Sequence, residues 1–322
     1  MPSCKSELEG NELLVSVENC ATGYDERVTI IRDAIRTKLM GTRIPTGTRL
    51  YRVTRLDSSE TGWPDDVRYP NRVERLGPPP PNLCRPGRAN RAGQSRFYCC
   101  SGPPGAHLGT RVTAADGYDV SDGEIVLLST WESTRPLMLL AIGFSEKAFR
   151  RFGASRFPTA EQLAYYSKLS SDALMVQEWL DRVFTVKSEN SSGAPSDPYA
   201  VQYAVADAAF CVGRDQINGI IYPSTRHDNL GADCYVFDPD IMHDALQLVS
   251  VDAQHFFRLT NVRASFRRIA EAIDFAGGEL HWRNLPPGPF WEAWRAEDLL
   301  VEPWCRLTEL DVRSARKLVV RR

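Results

Sequence analysis

Gly219-Ile220-Ile221-Tyr222-Pro223-Ser224-Thr225-Arg226-His227 is an apolar run that meets a proline and then a row of polar groups. Gly231 follows, and Cys234-Tyr235-Val236-Phe237 is a second apolar run. Short apolar stretches bounded by turn residues read as buried strands. Pro223 fixes its own φ and starts a turn, so the two runs are expected to lie side by side. Taken alone, the stretch is a hairpin in which Ser224 caps the turn. Strand ends also hold working side chains rigidly, which makes Tyr222 and Ser224 candidate site residues.

Working outward, Val28, Ile31, Ile35 and Leu39 recur at helical spacing and stop at Gly41, which predicts a helix over residues 25–40. Leu50-Tyr51-Arg52-Val53 reads as a short strand. From Asp57 to about Gln94 the chain is rich in proline, glycine and arginine and is expected to be a long surface loop. Strands are expected over 96–100, 124–131 and 137–144. Thr159-Ala160-Glu161-Gln162 resembles a capping box and predicts a helix, with another from Asp172 to Phe184. Residues 187–198 have linker composition. Tyr199 to Val212 is alanine-rich and apolar enough for a buried helix. Beyond 245 a strand is expected, then a helix over 262–276 ended by Gly277-Gly278, then an aromatic tail with Trp282, Trp291, Trp294 and Trp304. The mixture predicts an α+β fold. Its expected organisation is an N-terminal helical extension (1–46), a main domain (47–245) and a C-terminal extension (246–322).

Composition bounds the function. The chain has 322 residues, 43% of them apolar and 25% charged, as ordinary globular proteins do. A formal net charge of -2 gives no overall attraction to nucleic acid or to an anionic membrane. The Met1 end lacks a basic segment followed by an apolar one, and no run is long enough to span a bilayer. Eight cysteines without a CxxC pair suit reduced thiols, so a cytoplasmic protein without a structural metal is expected.

Three polar constellations stand out. Arg52 interrupts an apolar strand, and arginine is rarely buried without an anionic partner. Gly87-Arg88-Ala89-Asn90 with Gly93 leads into Phe97-Tyr98-Cys99-Cys100, placing a second arginine on a flexible approach to a tyrosine. The Tyr222-Pro223-Ser224 turn is the third. Bland alternatives are a salt bridge for Arg52 and solvation for Arg88. Arg263, Arg267 and Arg268 would form a solvated basic helix face. Cys99-Cys100 lacks a histidine partner motif and reads as packing.

The order Leu-Tyr-Arg, Gly-Arg-x-Asn-x-x-Gly, Phe-Tyr, Gly-Ile-x-Tyr-Pro-Ser resembles the RES domain family over residues 48–240. That resemblance implies an ADP-ribosyltransferase-like split β-sheet core with surrounding helices. It implies cleavage of the nicotinamide–ribose bond of NAD, and a toxin neutralised by a cognate antitoxin. By similarity, Arg52 and Arg88 match the family's arginines, Tyr98 its active-site tyrosine and Ser224 its serine. Asn90 and Tyr222 complete the expected dinucleotide pocket.

These residue types suit NAD. Guanidinium groups hold a pyrophosphate in bidentate fashion, an aromatic face stacks on a flat cation, and a hydroxyl fixes a carboxamide. Departure of nicotinamide leaves positive charge on the ribose, which a carboxylate stabilises. Water as acceptor gives a glycohydrolase, phosphate a phosphorylase, and a macromolecule an ADP-ribosyltransferase. The family's Ala-x-x-Glu is here Ala106-His107-Leu108-Gly109, with glycine in place of the acid. Glu124 and Glu132, an even number of residues apart on one expected strand, are candidate replacements. His107 is a candidate acid–base group. The alternative is a catalytically silent module that binds a nucleotide or a partner.

Overall fold

A computed structural model of the chain describes Leu14, Val15, Val17 and residues 23–35, 41–56, 69–101, 125–143, 167–185, 199–212, 217–223, 233–260 and 263–286. The fold is α+β. The chain divides into two compact units, each gathered from separated stretches. Unit 1 comprises Met1–Thr48, Pro78–Tyr98 and Ser133–Leu246; unit 2 comprises Arg49–Gly77, Cys99–Glu132 and Gln247–Arg322.

Unit 1 carries strands β1 (Gly41–Ile44), β5 (Leu137–Ala141), β6 (Gly219–Pro223) and β7 (Asp233–Phe237), hydrogen-bonded in that order. β1 runs antiparallel to β5, β5 parallel to β6, and β6 antiparallel to β7. A parallel pair needs a long crossover. Between β5 and β6 the chain forms helices α2 (Ser171–Thr185) and α3 (Ala200–Val212). The expected pairing of the two apolar runs is realised, with Gly219 opposite Phe237 and Tyr222 opposite Cys234. Every residue of β6 and β7 is buried, which suits the apolar runs Ile220–Tyr222 and Cys234–Phe237. Gly219 is required by close approach: a Cβ there would lie 2.5 Å from the Val236 carbonyl oxygen.

Helix α1 (Tyr24–Ile35) opens on Asp25 and Glu26, where carboxylates favour a helix N-terminus, and buries Ile31 and Ile35 one turn apart. In α3, Ala204, Val205, Ala208 and Ala209 are all buried. They join Val176, Leu180 and Phe184 of α2 against Ile220, Tyr222 and Val236 in one core. α4 (Pro239–Ala245) starts with proline at its first turn, where no N–H is needed.

Unit 2 carries β2 (Arg49–Arg55), residues Cys99 to Ser101 of β3 (Phe97–Ser101), β4 (Ile125–Ser133), β8 (Leu246–Thr260), β9 (Arg263–Asp274) and β10 (His281–Asn284). Its strand order is β3-β2-β4-β8-β9-β10. β2 and β4 are antiparallel, from Arg49 opposite Glu132 to Arg55 opposite Val126. Trp282 of β10 stacks on Tyr69 at 4.7 Å and donates to the Pro70 carbonyl at 2.7 Å.

Two expectations are corrected. Residues 263–274 form strand β9, not a helix, and pair with β8 from Asp252 opposite Glu271 to Thr260 opposite Arg263. The spacing of Phe266, Ile269, Ala270 and Ile273 imitates a helix face, but Ile273 is 57% exposed and only the ladder accounts for the segment. Gly277 and Gly278, at φ of 64° and 79°, make the turn into β10 rather than a helix end. The proposed basic helix face is therefore absent as such: Arg268 lies on a strand, ion-paired to Asp252 at 2.6 Å and Glu271 at 2.7 Å. Nor is the proline-rich stretch wholly a surface loop. It contains short 3-10 turns at Val73–Leu76 and Pro81–Leu83, and Leu76, Arg88, Ala89 and Asn90 are buried. The expected helix after Thr159, the linker, and Trp291, Trp294 and Trp304 lie outside the described residues.

Candidate active site

Gly87 and Asn90 close a tight turn through paired backbone hydrogen bonds of 2.9 and 3.4 Å. The Asn90 side chain locks it, donating to the Arg85 carbonyl at 2.8 Å and the Arg91 carbonyl at 2.9 Å. From β3, the Tyr98 hydroxyl donates to Asn90 Oδ1 at 2.7 Å and accepts from the Ala89 N–H at 2.8 Å. A Cβ on Gly87 would lie 2.6 Å from Asn90 Oδ1 and 3.2 Å from the Tyr98 hydroxyl, so this turn needs glycine.

The turn aims Arg88 inward. The residue is 5% exposed, and one guanidinium nitrogen donates to the Phe184 carbonyl at the end of α2. The guanidinium carbon lies 5.9 Å from the Tyr222 ring centroid, and the Phe184 and Tyr222 rings meet edge-on at 5.5 Å. Arg88, Asn90, Tyr98 and Tyr222 are thus brought together within unit 1. Burial lowers the local dielectric around such a guanidinium and strengthens its attraction for an anion.

Arg52 lies in unit 2 on β2, half-buried, opposite Ser129, whose hydroxyl donates to the Arg52 carbonyl at 3.2 Å. Trp131 Nε1 in turn donates to the Ser129 hydroxyl at 2.9 Å. Burial drives the Cys99 thiol far above its ordinary pKa, with the Arg52 charge pulling the other way. Cys99 is accordingly a protonated packing residue rather than a thiolate nucleophile. Glu132, also in unit 2, forms a cross-strand ion pair with Arg49 at 3.4 Å. Ser224, Glu124, His107 and Gly109 lie outside the described residues.

One cluster escaped the sequence reading. Asp207 of α3 accepts from Gln94 at 2.7 Å and Arg96 at 3.1 Å on one oxygen. Its other oxygen takes the Tyr24 hydroxyl and the Arg91 guanidinium, the latter at 3.5 Å. The available signal was a lone carboxylate between Ala206 and Ala208 in a predominantly apolar helix. Among the described residues no group of three or more His, Cys, Asp or Glu could hold a metal ion, and no helix is long and apolar enough to cross a membrane.

No curated protein matches the chain. The RES domain model matches residues 49–259, and RES domains are generally linked to NAD-consuming enzymes. This match covers more than half of the sequence and both arginine motifs, and on that ground the chain belongs to the RES domain family.

Proposed function

We propose that the protein is an NAD-consuming enzyme that breaks the nicotinamide–ribose bond. The observation that carries this reading is the buried Arg88 guanidinium beside the Tyr222 and Phe184 rings, set by a turn that Tyr98 and Asn90 hold. A cation with fixed donors suits the pyrophosphate, and the adjacent aromatic faces suit flat rings. Arg52 supplies the second cation of this scheme, on the resemblance of Leu50-Tyr51-Arg52 to the family's pattern. Ser224 fixes the carboxamide.

In the reaction the C1′–N bond breaks and its electron pair leaves with neutral nicotinamide. Water adds to C1′ and gives up a proton, yielding ADP-ribose; phosphate in place of water gives the phosphorylated sugar. Glu124 or Glu132 stabilises the charged ribose in place of the residue that is Gly109 here. The biological role that follows is a toxin of a toxin–antitoxin or defence system, acting in the cytoplasm and restrained by a cognate antitoxin.

Gly109 favours a second reading, a silent module that binds nucleotide without turnover. Incubation with NAD separates the two. Nicotinamide release that disappears in Arg88→Ala supports the enzyme, whereas NAD binding without release supports the module. Transfer of labelled ADP-ribose to acid-precipitable material would identify a transferase.

A further inference from the structure

The segment that follows the Arg88 turn converges on one carboxylate, Asp207, whose fourth donor comes from outside the matched RES domain. Asp207 receives Gln94 and Arg96 on one oxygen, and Tyr24 and Arg91 on the other. Three of those donors belong to the segment that follows the Gly87–Asn90 turn. Gln94 couples them directly, since its side-chain oxygen accepts the Arg91 N–H at 2.9 Å while its nitrogen donates to Asp207. Arg91 is the residue next to Asn90, and its carbonyl accepts from the Asn90 side chain. A chain of bonds therefore runs from Asp207 to the turn that carries Arg88.

Tyr24 belongs to α1, which precedes the matched domain of residues 49–259. It holds the clamp twice. Its hydroxyl donates to Asp207, and its ring lies 4.6 Å beneath the Arg91 guanidinium. Its ring also meets Tyr203 of α3 at 5.7 Å. Arg96 is sandwiched in similar fashion, its guanidinium 4.3 Å from the Phe210 ring and ion-paired to Asp238 as well as Asp207. Charge-assisted bonds to one half-buried carboxylate reinforce one another, because each donor fixes the acceptor for the rest.

We infer that α1 is a positioning element for the candidate active site: Tyr24 completes the Asp207 clamp, and the clamp fixes the turn that presents Arg88. Tyr24 and Asp207 are positioning residues and touch no reacting atom. This inference rests on the proposed NAD chemistry for its kinetic readout only.

The test uses full-length Tyr24→Phe, which keeps the ring and the stacking but deletes the donor to Asp207. Asp207→Asn retains an acceptor, and Asp207→Ala removes it. For nicotinamide release, Tyr24→Phe is expected to raise the KM for NAD by about threefold to tenfold, the scale of one hydrogen bond, with kcat changed less. Asp207→Asn is expected to fall between wild type and Asp207→Ala. Amide hydrogen exchange over residues 84–96 is expected to quicken in Tyr24→Phe, while exchange in β6 and β7 stays at the wild-type rate. Unchanged KM with unchanged exchange in Tyr24→Phe overturns the inference, as does quickened exchange throughout unit 1, which would mark a purely structural contact. Should wild-type protein release no nicotinamide, the proposed reaction falls and the exchange measurement still decides the clamp. Should Asp207→Ala fail to fold, Tyr24→Phe carries the test.

Discussion

Replacing Arg88 by lysine keeps a charge and removes the planar fork. Lysine cannot reproduce a bidentate grip on a pyrophosphate, so Arg88→Lys is expected to resemble Arg88→Ala, with kcat/KM for NAD reduced by about a hundredfold or more in both. Steady-state nicotinamide release checks this, and recovery to near wild-type in the lysine variant would show that charge alone suffices. Gly87→Ala tests the turn itself. Its new methyl group meets Asn90 Oδ1, part of a side-chain amide that three hydrogen bonds hold in place, leaving little room for relief. A loss of about 1–3 kcal/mol in denaturant-derived stability is expected, on the scale of a strained or clashing backbone site. At this scale Arg88 was legible in sequence because glycine and asparagine flank it in a turn-forming pattern. Asp207 was not, because its four donors come from two separate stretches of chain and only folding assembles them.

Strands β2 to β7 were legible because each carries a short, largely apolar stretch near turn residues, though in β2 it is interrupted by Arg52. β9 was misread because a sequence with Phe266, Ile269, Ala270 and Ile273 satisfies a helical period, and its state is set by β8, a partner the local pattern does not contain. What ties this ladder together is Glu271, which Arg283 and Arg268 both contact. The Arg283 hydrogen bond, with Arg268 nearby, holds its carboxyl below the ordinary glutamate range. A lowered folded-state pKa means the stabilisation is complete above the unfolded value and is lost as pH falls through the folded one. Thermal melting of wild type and Glu271→Gln should therefore differ at neutral pH, by about 1 kcal/mol or less for so exposed a cluster, and converge in strong acid. A difference that persists unchanged into strong acid would contradict the linkage. In unit 1, Phe184→Ala removes a fully buried ring against Tyr222 and is expected to cost about 3–5 kcal/mol, readable by chemical denaturation.

For the whole chain, the family was legible before the fold because its motifs are spaced polar residues, whereas the division into two units, each gathered from separated stretches, leaves no mark on composition. The Arg88 turn is central to the proposed function, since it sets a buried guanidinium beside two aromatic rings. The most direct test is a side-by-side incubation of wild type and Arg88→Ala with NAD, following free nicotinamide while circular dichroism confirms that both are folded. The account predicts steady release by the wild type and its near-complete loss in the variant. Equal release by both, or NAD left intact by the wild type, would contradict it.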